Sequence, residues 1–165
     1  MTFLDTCVWL EVCATALPLS PADTSRVQIA SALLARLQAS GEIIITCEEQ
    51  LVEIIQAVQK SKLREFNRLR RDGQHGVGNL KTFRRMPEFQ NAKELCEQVV
   101  SDVETLSQLK PLSDYPIHNI ISNLHLVDIN DYLYYQYCVT NGVDFYTFDG
   151  DFEGLASNKH IHILS

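Results

Sequence analysis

The chain has 165 residues, 45% of them hydrophobic and 21% charged, and carries a net charge of −7. That length fits one domain able to bury about 70% of its unfolded surface, and no apolar run approaches the roughly 20 residues needed to span a bilayer. Five cysteines, at 7, 13, 47, 96 and 138, form no CxxC or Cys/His metal spacing, so reduced thiols in a cytoplasm are expected.

Thr2 to Leu4 reads as a short apolar strand ending at Asp5, with Thr6 placed to cap a helix directly after it. The strand begins almost at Met1, so no cleavable leader is expected. Pro18, Ser20 and Pro21 break the chain, and Asp23 or Thr24 is placed to cap a second helix through Ala39, striped by Ile29, Leu33, Leu34 and Leu37. Ser40-Gly41 ends it. Glu42-Ile-Ile-Ile-Thr46 is short, β-branched and apolar, as in a parallel strand covered on both faces.

A helix from about Glu48 buries Leu51, Ile54, Ile55 and Val58 and is expected to run to Arg71. Glycine-rich Asp72 to Asn79 predicts a loop. Pro87 opens a long helix that Lys110-Pro111 stops, and a short helix is expected at Ile117 to Asn123. Asp128 caps a helix to Thr140, ended by Asn141-Gly142. Val143 to Thr147 is a strand, followed by a helical turn from Asp151 to Leu155 and a last strand from Ile161 to Leu164. Strands alternating with helices predict a three-layer α/β/α sandwich around a mainly parallel sheet of four to five strands. The whole of 1–165 reads as one domain, with 59–126 an elongated helical insertion within it.

Charge is unevenly spread. Between Lys60 and Arg85 lie nine of the fourteen Lys and Arg against only Glu65 and Asp72, so this segment carries +7 and the rest −14. A local basic stripe supplies phosphate contacts even on an acidic protein. Lys60, Arg64 and Arg68 recur every four residues and Arg71 continues the line, with Arg84 and Arg85 further on. A solvated helix face is the plain alternative.

Four acids stand out by position. Asp5 and Asp149 each follow a strand, and in a parallel sheet sites lie beyond the carboxyl ends of strands. Glu53 and Asp131 fall in the opening turns of helices, where backbone dipoles favour negative charge. Clustered carboxylates persist only when cations or protons neutralise them. Four oxygen donors without Cys or His match one or two Mg²⁺ or Mn²⁺ ions rather than zinc. Each has a rival nearby: Glu49 one helical turn before Glu53, Asp128 as cap before Asp131, and Asp151 after Asp149. Thr6 and Thr147 are the polar residues beside the set. The five histidines show no ligand spacing near these acids, and tyrosines 132, 134, 135 and 137 read as helix packing.

Leu4-Asp-Thr-Cys-Val-Trp-Leu10, Leu51-Val-Glu-Ile54, and Asp131 followed by Thr147-Phe-Asp-Gly-Asp-Phe152 resemble the motifs of PIN-domain nucleases, and the opening motif is similar to that of VapC-type toxin ribonucleases. The likeness covers roughly 1–14, 42–58 and 127–155. It implies a PIN-like fold, and an endoribonuclease whose metal-binding acids are Asp5, Glu53, Asp131 and Asp149. It further implies an RNA substrate (single-stranded or structured), a small antitoxin as protein partner and a homodimer. Cys7 departs from the Asn or Ser usual at its position, and 59–126 is longer than in compact toxins. Two rival classes remain: a catalytically silent PIN-like module that binds RNA or protein, and a phosphoaspartyl phosphatase-like or receiver-like protein. The phosphatase wants an Asp-x-Asp pair where this chain has Asp5-Thr6-Cys7, and the receiver a lysine after a late strand, where only Lys159 stands.

Overall fold

Phe3 and Leu4 point from strand β1 (Thr2–Leu4) into two different cores, as a strand covered on both faces requires. The computed structural model describes residues 1–14, 21–70, 76–112, 117–155 and 157–165, with the backbone alone at 21–23. After β1 come α1 (Thr6–Cys13), α2 (Pro21–Ala39), β2 (Ile44–Thr46), α3 (Glu48–Arg68), α4 (Leu80–Phe83) and α5 (Phe89–Leu106). The chain continues through β3 (Gln108–Leu109), α6 (Ile117–Asn123), α7 (Ile129–Asn141), β4 (Asp144–Thr147), a 3-10 turn at Gly150–Leu155 and β5 (Ile161–Ile163).

The five strands form one parallel sheet in the order β3-β2-β1-β4-β5. One face packs Leu4 and Ile44 against Val8, Trp9, Leu33, Ile54, Val58 and Val99 of α1, α2, α3 and α5. The other packs Phe3, Ile45 and Phe145 against Ile120, Tyr134 and Cys138 of α6 and α7. The three-layer α/β/α sandwich with a parallel central sheet is therefore present. Residues 59–126 hold the end of α3, α4, α5 and α6, and also β3, which extends the sheet beyond β2. A separate small core of Val77, Phe83 and Ala92, with Phe66 and Phe89 against it, closes the far end of α3.

Several local expectations are corrected. Asp5, not Thr6, is the N-cap of α1: its backbone is extended and its carboxylate accepts from the Thr6 amide, which leaves Thr6 as the first helical residue. Asp23 and Thr24 lie inside α2, which starts at Pro21. Helix α3 ends at Arg68, with Leu69 as its C-cap, so it stops short of Arg71. Arg71 itself and much of the predicted 72–79 loop lie outside the described residues. Helix α4, capped by the Asn79 side chain, and the exposed two-residue β3 were not foreseen.

The topology positions the site. The chain steps from β1 outward to β2 and β3, then returns to the other side of β1 for β4. The carboxyl ends of β1 and β4 therefore flank the point where strand order reverses, the crevice that such sheets use for ligands.

Candidate active site

Asp5 leaves the end of β1 and is 4% exposed. Its Oδ1 accepts from the Thr6 amide at 2.6 Å, while Oδ2 accepts from the Thr147 hydroxyl at 2.5 Å and the Cys7 thiol at 3.1 Å. The fully buried Thr147 hydroxyl in turn accepts from the Asp149 amide at 2.8 Å. One hydrogen-bonded chain thus ties the loop after β4 to the end of β1. A carboxylate offers about four acceptor directions, so Asp5 keeps one to spare. Burial pushes its carboxyl above the ordinary range against these hydrogen bonds, and the charge of Asp149 adds to the rise.

Glu53 comes from the second turn of α3. Its Oε2 accepts from the Tyr134 hydroxyl at 2.8 Å and from the Asn130 amide at 3.4 Å, both on α7. Burial raises this carboxyl as well, with Tyr134 opposing and Asp5 reinforcing the rise. Asp131 sits in the first turn of α7. Its pKa is pushed up to about 8, first by burial and then by the charges of Asp5, Glu53, Asp149 and Asp128. Asp131 therefore lies within electrostatic reach of the other three predicted acids, which come from separate places in the chain.

The rivals separate. Glu49 helps to raise the Cys47 thiol. Asp128 occupies the N-cap of α7 as expected, though its side chain makes no cap hydrogen bond, and it adds to the charge on Asp131. Asp151 is exposed, and it is its backbone amide that meets Asp149 Oδ1, at 2.9 Å. Thr6 Oγ1 is buried with no hydrogen-bond partner of good geometry among the described residues, yet stands close enough to Glu53 to favour its ionised form.

Among the described residues no Lys, Arg or His makes an ion pair with any of the four acids. Nor do three or more His, Cys, Asp or Glu side chains among them stand ready as a metal cage. The set is a group of neighbouring carboxylates at the carboxyl edge of the sheet rather than a closed shell.

Three supporting residues escaped sequence reasoning. Tyr134 lies three positions after Asp131, the spacing that puts both on one helix face, and that signal was available. Gln50 is fully buried; it accepts from Thr46 Oγ1 at 2.7 Å and donates to the Leu4 carbonyl at 2.7 Å, joining the ends of β2 and β1 beneath the acids. Cys7 donates to Asp5 and accepts from the Phe148 amide at 3.3 Å. At the opposite end of β4, Asp144 Oδ1 lies 3.0 Å from His160 Nδ1 and 3.2 Å from His162 Nε2, a contact the histidine spacing alone did not reveal.

The basic residues sit on the outer face. Lys60, Arg64 and Arg68 are exposed on α3, as are Arg84 and Arg85 after α4, where Arg84 Nε donates to Gln59 Oε1 at 2.8 Å. No helix among the described residues is long and apolar enough to cross a membrane. Compared with protein-family models, curated proteins and solved structures, the chain gives no match. Any functional reading therefore stands on the residues and their placement.

Proposed function

We propose that the chain is a Mg²⁺- or Mn²⁺-dependent phosphodiesterase of PIN type, an endoribonuclease, in which Asp5, Glu53, Asp131 and Asp149 hold one or two ions. One observation carries the reading: the carboxyls of Asp5, Glu53 and Asp131, from distant segments, are raised by burial and by neighbouring carboxylates that include Asp149, with no ion-paired cation on any of the four among the described residues. Such an arrangement is costly unless protons or cations relieve it. The donor set, all carboxylate oxygen, fits a hard ion, and the orphan Thr6 hydroxyl is one more oxygen beside it.

When bound, such an ion supplies Lewis acidity toward water and phosphate. The protein's own residues do the positioning. Thr147 and Cys7 fix the Asp5 carboxylate and Tyr134 fixes that of Glu53. Asp131 releases its proton where positive charge is most needed. Lys60, Arg64 and Arg68, with Arg71, Arg84 and Arg85, meet the phosphates of the strand. By the same resemblance we extend the proposal to a small antitoxin partner and a homodimer, and from the five cysteines without metal or CxxC spacing to a cytoplasmic setting.

A module that binds RNA or protein without cutting is favoured by two facts: Asp5 already accepts three hydrogen bonds, and among the described residues the acids form no ready-made cage. Cleavage decides between them. Single-stranded RNA, DNA and tRNA are incubated with Mn²⁺, Mg²⁺ or EDTA. The proposal expects cutting of RNA that EDTA abolishes, and at least a hundredfold loss (on the order of an essential group's contribution) in Asp5→Asn and Asp149→Asn. Activity surviving both substitutions would sink the four-acid mechanism, and folded protein that binds RNA without cutting it would favour the silent module.

A further inference from the structure

Helix α2 carries a cation outside the roles proposed so far. The helix ends at Ala39, and a short connection leads from it to Ile44, the first residue of β2. The end of α2 therefore lies at the amino edge of the parallel sheet, and its start points to the carboxyl edge. Two arginines trace that descent. The Arg36 guanidinium stands over the Tyr146 ring, within β4, at 5.9 Å from the ring centre; that of Arg26 stands over the Phe148 ring, just past the carboxyl end of β4, at 5.6 Å. The platform under Arg26 belongs to the acid group. Phe148 is 8% exposed. Its amide donates to Cys7 Sγ, which donates to Asp5, and the next residue is Asp149, one Cα step of about 3.8 Å away. Arg26 itself is exposed, and among the described residues it makes no ion pair or hydrogen bond. A guanidinium stacked on a ring uses only its face. Its five N–H donors stay in the plane, in a fork that matches the oxygens of a phosphate.

We propose that Arg26 is a substrate-binding residue, its guanidinium fork holding the phosphodiester that is brought to the acids. It does so from the β4 side of Asp5, whereas α3 and Glu53 rise from the β2 side, with β1 between them. A group of carboxylates repels the phosphate it is to act on, and a cation fixed beside Asp149 offsets that repulsion. A positioned arginine clamp on a phosphoryl group acts in the same way as other preorganised donors: its charge is in place before the reaction begins. Phe148 supplies the positioning, because stacking restrains a side chain that otherwise loses rotamer freedom when it takes a partner. The inference rests on the nuclease reading for its functional meaning, and adds a residue that lies outside the +7 segment.

The test compares Arg26→Gln with Arg36→Gln, which removes a comparable stack about 15 Å of helix rise away. Both should show the same small drop in melting temperature, about 2–4 °C at most, so a purely structural role predicts no further difference. Binding of a fluorescein-labelled oligoribonucleotide of about eight nucleotides is followed by anisotropy in EDTA over a range of salt. Arg26→Gln should weaken binding about tenfold and take about 0.7 off the log–log salt slope. Arg26→Lys keeps the charge and the slope but loses the fork, so it should recover only part of the affinity. With Mn²⁺, kcat/KM for the same RNA should fall at least about tenfold in Arg26→Gln. Arg36→Gln should leave affinity, slope and kcat/KM where they are. An Arg26→Gln protein that matches Arg36→Gln in affinity and slope, or an Arg26→Lys protein equal to wild type throughout, would each overturn the assignment. If RNA is cut and binding ignores Arg26, only this inference fails. If the binding differences hold but wild type cuts nothing, Arg26 stands as a phosphate-binding residue and hydrolysis fails.

Discussion

Asp131 is burdened by both burial and its acidic neighbours. Burial and four neighbouring carboxylates raise its pKa from 3.8 to about 8, so at neutral pH the apo-protein holds a proton there that an unfolded chain would release. Because the folded pKa is the raised one, the stabilising contribution is complete below pH 3.8 and is lost as pH rises towards about 8. Replacing the carboxyl by a neutral isostere removes that loss. Asp131→Asn should therefore melt higher than wild type at pH 8 in EDTA, by about 2–4 °C for each kcal/mol relieved, and nearly equally at pH 4. Mg²⁺ or Mn²⁺ should narrow the gap by favouring wild type. A difference that ignores pH would show that the neighbouring acids do not burden this group.

At the scale of elements, the site depends on strand ends being locked in register. Gln50, in the first turn of α3, bridges the Thr46 hydroxyl and the Leu4 carbonyl with two buried hydrogen bonds of 2.7 Å. Gln50→Leu keeps the volume and strands both partners, and each stranded buried group costs about 1–3 kcal/mol. Urea unfolding should register a loss of about 2–4 kcal/mol; a loss below about 0.5 kcal/mol would mean the bridge is not holding the strands. The elements around this latch were largely legible in the sequence, for definite reasons. Apolar runs such as Ile43-Ile-Ile marked strands, and helical stripes marked α3, α5 and α7. Asp5 and Asp149 were found because they follow strands. Gln50 and Cys7 were not, because each also binds a partner far away in sequence, Leu4 for Gln50 and Phe148 for Cys7. Strand β3 was hidden because its two residues are exposed and half polar, so only its pairing with β2 makes it a strand. The cap assignment failed at Thr6 because either Asp5 or Thr6 has the right side chain, and the extended backbone falls on Asp5.

For the molecule as a whole, charge is arranged in two zones. An acidic group lies at the carboxyl edge of the sheet, on a body of net −14, and an exposed line of cations from the +7 segment runs away from it along α3. Neither zone alone requires a nucleic acid, since acidic clefts bind many cations and charged helix faces are commonly only solvated. Helix α3 joins them through Glu53, and under the proposed nuclease function a bound phosphate chain would lie beside carboxylates that need positive charge. The central claim is that these four acids take up a divalent metal ion, and titration of the apo-protein with Mn²⁺, read by electron paramagnetic resonance, tests it most directly. The account predicts saturable binding of one or two ions, tighter at pH 8.5 than at pH 6.5 because Asp131 must lose its proton, and sharply weakened in Asp5→Asn and Asp149→Asn. Folded wild-type protein that takes up no Mn²⁺, or that binds it equally well with both acids replaced, would contradict it.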